Sequence, residues 1–169
     1  MSARLSTAIR IGDAARAILR KTKTFPDTGL GDGTDANDYE HIGVEPMLLA
    51  LAIELALKAW LILDSDNPDV PKIHDLAALF SELKSESQEK LDAEFKRSVV
   101  SLHPNWLFAD YSIRNILYQH RNAFIDWRYL HEPKNISFEK SAFEATLVMV
   151  LAEFRKRYRI EPAYPVRSL

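Results

Sequence analysis

The chain has 169 residues, of which 22 are basic and 24 acidic, so its formal net charge is −2 at pH 7. This length suits one domain with a core of its own, and the near-neutral charge excludes a protein that coats itself with nucleic acid through its overall charge. The absence of cysteine excludes disulfides, thiolate metal sites and a cysteine nucleophile. Any binding of nucleic acid must therefore come from a local basic surface.

The N-terminal segment predicts an amphipathic helix. Apolar residues recur at helical spacing over residues 4–22, with arginines on the remaining surface. The segment lacks the unbroken apolar run of a signal peptide, so we expect a cytoplasmic protein. Residues 24–43 hold four of the five glycines and predict a long exposed loop.

Residues 47–63 are almost entirely apolar and nearly long enough to cross a bilayer. Glu54 and Lys58 interrupt them, four residues apart with the acid first, which is the favourable order for an ion pair on a helix. Each charge would be costly in lipid, so we predict the buried central helix of a helical protein and no membrane span. Glu54 and Lys58 are then expected to form a structural ion pair.

The following segments predict more helices. Residues 74–83 and about 86–101 have helical apolar spacing, and a further helix begins after Asp110 or Ser112, either of which can cap it. Apolar residues spaced over 143–158 predict a last long helix.

These elements together predict an all-α fold, an antiparallel bundle of about five or six helices. We expect one domain over residues 1–160 and a short tail over 161–169. The five histidines are scattered, without the spacing of a metal site, so neither a metal nor a cofactor is expected.

The segment RNILYQHRNAFIDWRYLHE, residues 114–132, is the richest in functional side chains. If the segment is one helix, it places His120 on an apolar stripe and repeats an arginine every seven residues on another face. If the chain leaves the helix near Phe124, Arg128 drops out of this row and WRYLHE serves packing. Arginines beside an aromatic ring suit phosphates and stacked bases, although a solvated, ion-paired face explains them equally well. The candidate RNA contacts are Asn115, Tyr118, Arg121 and Arg128.

Three segments, AIELALKAWLIL, IHDLAALFSEL and RNAFIDWRYLHE, resemble the HEPN superfamily in order and spacing, over roughly residues 44–158. The resemblance implies a helical bundle that commonly dimerises. It also implies a role on RNA, or pairing with a nucleotidyltransferase in a toxin–antitoxin or defence module. Many members carry an arginine followed after about four to six residues by a histidine, and these are typically metal-independent endoribonucleases.

RNILYQH matches that motif, which makes Arg114 and His120 candidate catalytic residues. Because His120 falls on an apolar stripe, a packed core or interface histidine is the other interpretation. We therefore expect a homodimeric domain that binds RNA or a nucleotide-bearing partner. A metal-independent endoribonuclease and a non-catalytic structural or oligomerisation module are the alternatives.

Overall fold

The computed structural model describes residues 2–25, 44–65, 69–103, 110–128 and 138–158, and every regular element in these ranges is helical. The prediction of an all-helical fold is confirmed. The predicted loop over 24–43 lies outside the described residues from residue 26 onward, as does the whole predicted tail over 161–169. The helices are α1 (Ala3–Thr22), α2 (Val44–Asp64), α3 (Leu76–Ser81), α4 (Ser85–Ser98), α5 (Ile113–Gln119), α6 (Ala123–Arg128) and α7 (Lys140–Arg155), with a short 3-10 helix at Val100–Leu102.

Helix α2 is the centre of the protein. Helices α1, α3, α6 and α7 all pack against it, so it is buried on nearly every side. By length and composition it could cross a membrane, but 72% of its most apolar window is buried inside the protein. The Trp60 indole Nε1 donates a hydrogen bond to the Val150 carbonyl of α7, 3.1 Å away. The prediction of a buried central helix is confirmed.

A close approach at Gly12 sets the packing of α1 against α7. A Cβ atom at this position would lie 2.7 Å from Cε1 of Phe154, a separation that side chains do not tolerate. Phe154 is itself fully buried and packs on Trp60 with ring centroids 6.4 Å apart. Glycine is therefore required by this contact, since a larger residue would push α1 away from the core.

The C-terminal ends of α2 and α7 meet at Asp64. This buried carboxylate accepts hydrogen bonds from the Lys84 backbone N–H at 3.1 Å and the Ser87 hydroxyl at 2.9 Å. It also pairs with the Arg157 guanidinium at 2.6 Å, which stacks over the Trp60 ring with its carbon 4.8 Å from the centroid. One side chain thus joins α2, the start of α4 and the end of α7.

The described part of residues 114–132 is not one continuous helix, and it breaks earlier than near Phe124, the end that the sequence left open. Helix α5 ends at Gln119, residues 120–122 form a turn, and α6 begins at Ala123. The Arg121 carbonyl accepts a hydrogen bond from the Leu76 backbone N–H, 3.2 Å away, instead of one from the next helical turn. A tertiary contact with α3 therefore breaks the helix, and the arginines seven residues apart do not share one helical face.

Candidate nucleic-acid interface

Helix α5 begins at a polar cap that uses one of the predicted RNA contacts. Ser112 precedes the helix, and the Asn115 side-chain oxygen accepts a hydrogen bond from the Ser112 backbone N–H at 2.8 Å. Asp110, the other predicted cap, has a left-handed φ of 43° and pairs with Lys96 at 3.0 Å. Asn115 therefore fixes the start of α5 through its side-chain oxygen, and the side chain itself is exposed to solvent.

The Arg114 side chain extends from α5 across to α3 and α4. Its guanidinium carbon lies 5.3 Å from the centroid of the Phe80 ring. It donates hydrogen bonds to the Ser81 hydroxyl at 3.4 Å and to the Gln88 side-chain oxygen. The cation is thus exposed but held in one place by two neighbouring helices.

Tyr118 and Arg121 form an exposed aromatic and cationic pair. The Tyr118 side chain is 63% exposed, and the Arg121 guanidinium carbon lies 5.1 Å from the centroid of its ring. Arg121 Nε also lies 3.4 Å from a carboxylate oxygen of Asp75, the residue that caps α3 by accepting from the Ala78 N–H. The turn after α5 therefore positions a second guanidinium directly beside the ring.

A groove between α3 and α5 brings together three of the predicted site residues: Arg114, Asn115 and Tyr118. Its volume is about 480 Å³, and Phe80 and Ser81 of α3 contribute to its wall. We refer to it as the Tyr118 groove. Phe80, Ser81 and Gln88 are not among the residues that the sequence predicts, because nothing in the local spacing of α3 and α4 indicates that they meet an arginine more than 25 residues later.

His120 occupies a different environment. The side chain is only 3% exposed, and its ring makes edge-on contacts with Phe138 and Phe143 at centroid distances of 5.0 Å each. Within the described ranges, its Nε2 atom has no hydrogen-bond partner. Burial lowers the pKa of His120, and the nearby negative charge of Glu139 opposes that shift only in part. The imidazole is therefore held neutral at neutral pH.

The two predicted catalytic residues contact different elements. Arg114 lies against α3 and α4 on the surface, whereas His120 lies among aromatic rings on the side of α7. One copy of the chain thus does not bring them together in a common cleft. Arg128, the last predicted RNA contact, ends α6, and its side chain lies outside the described part of the structure.

Glu54 and Lys58 lie side by side in the buried part of α2. Lys58 Nζ is 2.7 Å from Glu54 Oε1, and both side chains are almost fully enclosed. His74 is a third member that the sequence analysis did not include, with its Nδ1 3.1 and 3.3 Å from the two Glu54 oxygens. This cluster fixes the segment before α3, directly beside the Asp75 that holds Arg121.

The fold and this surface define a small all-helical domain with a basic and aromatic groove. In the described ranges, no group of three or more histidine, aspartate or glutamate side chains could hold a metal ion. Comparison with protein families matches the HEPN domain at residues 48–132, just over half of the chain. The protein belongs to the HEPN family. No curated protein and no solved structure matches it.

Proposed function

We propose that this HEPN domain binds single-stranded RNA in the Tyr118 groove. The observation that carries the proposal is the 63% exposed Tyr118 ring, in a groove that also presents Arg114 and with Arg121 against the ring. An exposed aromatic ring offers a stacking surface to any base, and arginines beside it can hold the phosphates on either side. A groove of about 480 Å³ is also within the usual range of ligand sites.

The present partners of the two arginines leave them able to bind phosphate. Arg114 donates to Ser81 and Gln88, and Arg121 makes one long ion pair with Asp75. A guanidinium group has five N–H donors, so each arginine can keep these contacts and still donate to a phosphate oxygen. Because the contacts hold both cations in place, less side-chain entropy is lost when RNA binds.

The test is RNA binding by variants of the groove. Tyr118→Ala should weaken the binding of a labelled single-stranded oligonucleotide about tenfold or more, whereas Tyr118→Phe, which keeps the ring, should bind as the wild type does. Arg121→Ala should weaken binding and lower the slope of log K against log salt concentration by about 1. Fluorescence anisotropy at several salt concentrations measures both effects.

Arg97→Ala is the matched control, since Arg97 is also an exposed arginine paired with a carboxylate, that of Glu94 on α4. Its binding curve should overlay that of the wild type. RNA binding that is unchanged in the Tyr118→Ala, Arg114→Ala and Arg121→Ala variants would contradict the proposal. It would leave the non-catalytic structural or oligomerisation module as the better interpretation.

A metal-independent endoribonuclease is the second candidate function, and the unpaired Nε2 of His120 favours it. In this reaction the 2′-OH attacks the adjacent phosphorus and the bond from phosphorus to the 5′-oxygen breaks, which requires a base for the 2′-OH proton, an acid for the leaving 5′-oxygen and a cation to stabilise the phosphate. A neutral imidazole nitrogen without a partner can accept the proton, the imidazolium so formed can give it to the leaving 5′-oxygen, and Arg114 can hold the phosphate oxygens. Since His120 is buried and Arg114 faces other helices, this function needs movement around His120 or a second copy of the chain.

Cleavage of RNA in EDTA separates this candidate from binding alone. A nuclease should lose activity in the His120→Ala and Arg114→Ala variants, with RNA binding retained by His120→Ala and the fold checked by circular dichroism. If the wild type shows no cleavage above the His120→Ala background, the protein only binds RNA.

Membership of the HEPN family supports three further proposals. The protein acts as a homodimer, and it belongs to a toxin–antitoxin or defence module in the cytoplasm. Its protein partner there is of the nucleotidyltransferase type. Co-expression with such a partner, followed by affinity purification, tests the last of these, and separate elution of the two proteins would contradict it.

A further inference from the structure

A smaller cavity opens beside the Tyr118 groove, and the two share Arg114 and Ser112. Its volume is about 270 Å³, which is slightly below the range of a complete ligand site and equals the space of about nine waters. We call it the α4 pocket, because the rest of its lining comes from α4: Ser85, Gln88, Glu89 and Asp92. A ligand that is bound in the Tyr118 groove can therefore place one of its chemical groups beyond Arg114, inside this pocket.

Gln88 holds Arg114 at the junction of the two cavities. Its amide nitrogen donates to the carbonyl oxygens of Ser81 at 3.1 Å and Leu83 at 2.6 Å. Its side-chain oxygen accepts from Arg114. Both ends of the amide are thus used within the protein, and Gln88 acts as a positioning residue for the arginine.

The two carboxylates of the α4 pocket differ in their partners. Asp92 accepts a hydrogen bond from the Ile113 backbone N–H at 3.0 Å and lies 3.4 Å from Lys96. Glu89 is exposed, and within the described ranges it has neither a hydrogen bond nor an ion pair. The pocket therefore presents one carboxylate with unused acceptor capacity, on the residue that follows Gln88 in α4.

We propose that the α4 pocket receives the hydrogen-bonding edge of one RNA base, and that Glu89 selects cytosine and adenine over uracil. The inference rests on the proposed binding of RNA in the Tyr118 groove. A carboxylate repels phosphate, so the strand must offer a base rather than its backbone to this pocket. Cytosine and adenine carry an exocyclic amino group that donates to a carboxylate. Uracil has the acceptor O4 in that position, and its one edge donor, N3–H, lies between two carbonyl oxygens that the carboxylate repels.

Binding of three labelled hexanucleotides, oligo(C), oligo(A) and oligo(U), tests the inference by anisotropy. The wild type should bind oligo(C) and oligo(A) about five- to tenfold more tightly than oligo(U). In the Glu89→Gln variant the new amide can donate to O4, so the preference should fall to within about twofold. Glu86→Gln makes the same change of charge on the same helix, at an exposed position outside the pocket, and should keep the wild-type preference.

The outcomes distinguish failure of the pocket from failure of RNA binding. Equal binding of the three oligonucleotides by the wild type, with Tyr118→Ala still weakening all of them, overturns the role of Glu89 and leaves the Tyr118 groove intact. An equal loss of preference in the Glu86→Gln and Glu89→Gln variants also overturns it, because the effect would then come from net charge. If no oligonucleotide binds, the proposed function itself is overturned.

Discussion

His120 is a titratable residue that packs among aromatic rings, so the stability of the folded protein depends on pH through this side chain. Its ring lies 5.0 Å from both Phe138 and Phe143, and burial lowers its pKa in the folded protein. As the pH falls, the unfolded chain therefore binds a proton at this histidine before the folded chain does. In the unfolded chain the histidine pKa has its ordinary value of about 6.5. The stability linked to the neutral ring is fully present above that value and is lost as the pH falls below it.

We expect the melting temperature of the wild type to fall from pH 7.5 to pH 5 more steeply than that of a His120→Leu variant. Leucine keeps an apolar side chain in the pocket and removes the group that titrates. Thermal unfolding followed by circular dichroism over this range measures the difference. Parallel curves for the two proteins would show that His120 does not titrate on unfolding.

At the scale of an element, the buried ion cluster of α2 determines how the segment before α3 is held. Glu54 contacts both Lys58 and His74, so Glu54→Ala would leave the Lys58 ammonium buried without its carboxylate. We expect this change to reduce the free energy of unfolding by about 3 kcal/mol or more. Urea denaturation provides the measurement.

The matched control replaces both members of the pair by apolar residues, Glu54→Leu with Lys58→Met. Because no charge then remains buried and unpaired, the double variant should recover most of the stability that Glu54→Ala loses. A loss well under 1 kcal/mol for Glu54→Ala alone would mean that solvent reaches Lys58 in solution.

The elements that local sequence predicts well are those that local patterns determine. The apolar run of α2 and the spaced apolar residues of α7 predict both helices, because neither depends on a distant contact. The break between α5 and α6 does depend on a distant contact, since the Leu76 N–H donates a hydrogen bond to the Arg121 carbonyl. The same limit applies to the site: spacing suggested Arg114 and Tyr118, but Phe80 and Gln88 reach Arg114 only through the packing of α3 and α4.

At the scale of the whole molecule, α6 exposes an apolar side chain in a single copy. Ile125 is this residue, and it lies outside the Tyr118 groove. Burying such side chains between two copies is the usual way in which a small helical domain covers them. We expect a mass of twice 19.3 kDa in sedimentation equilibrium at micromolar concentration.

Ile125→Glu should shift this equilibrium towards the monomer by placing a charge in the contact. Val70→Glu serves as the control, since Val70 is exposed to a similar extent before α3 and outside α5 and α6. A clean monomer for the wild type would contradict the homodimer, and an equal effect of the two changes would contradict this location.

The order of the helices along the chain also affects how the protein is made. Trp60 and Asp64 complete their contacts only with Val150 and Arg157, which follow them by 90 and 93 residues. At a synthesis rate of about 5–20 residues per second, these partners leave the ribosome roughly 5–20 seconds after α2 does. During that interval α1 can cover one side of α2, while the side that α7 will occupy stays open to water and to other nascent chains.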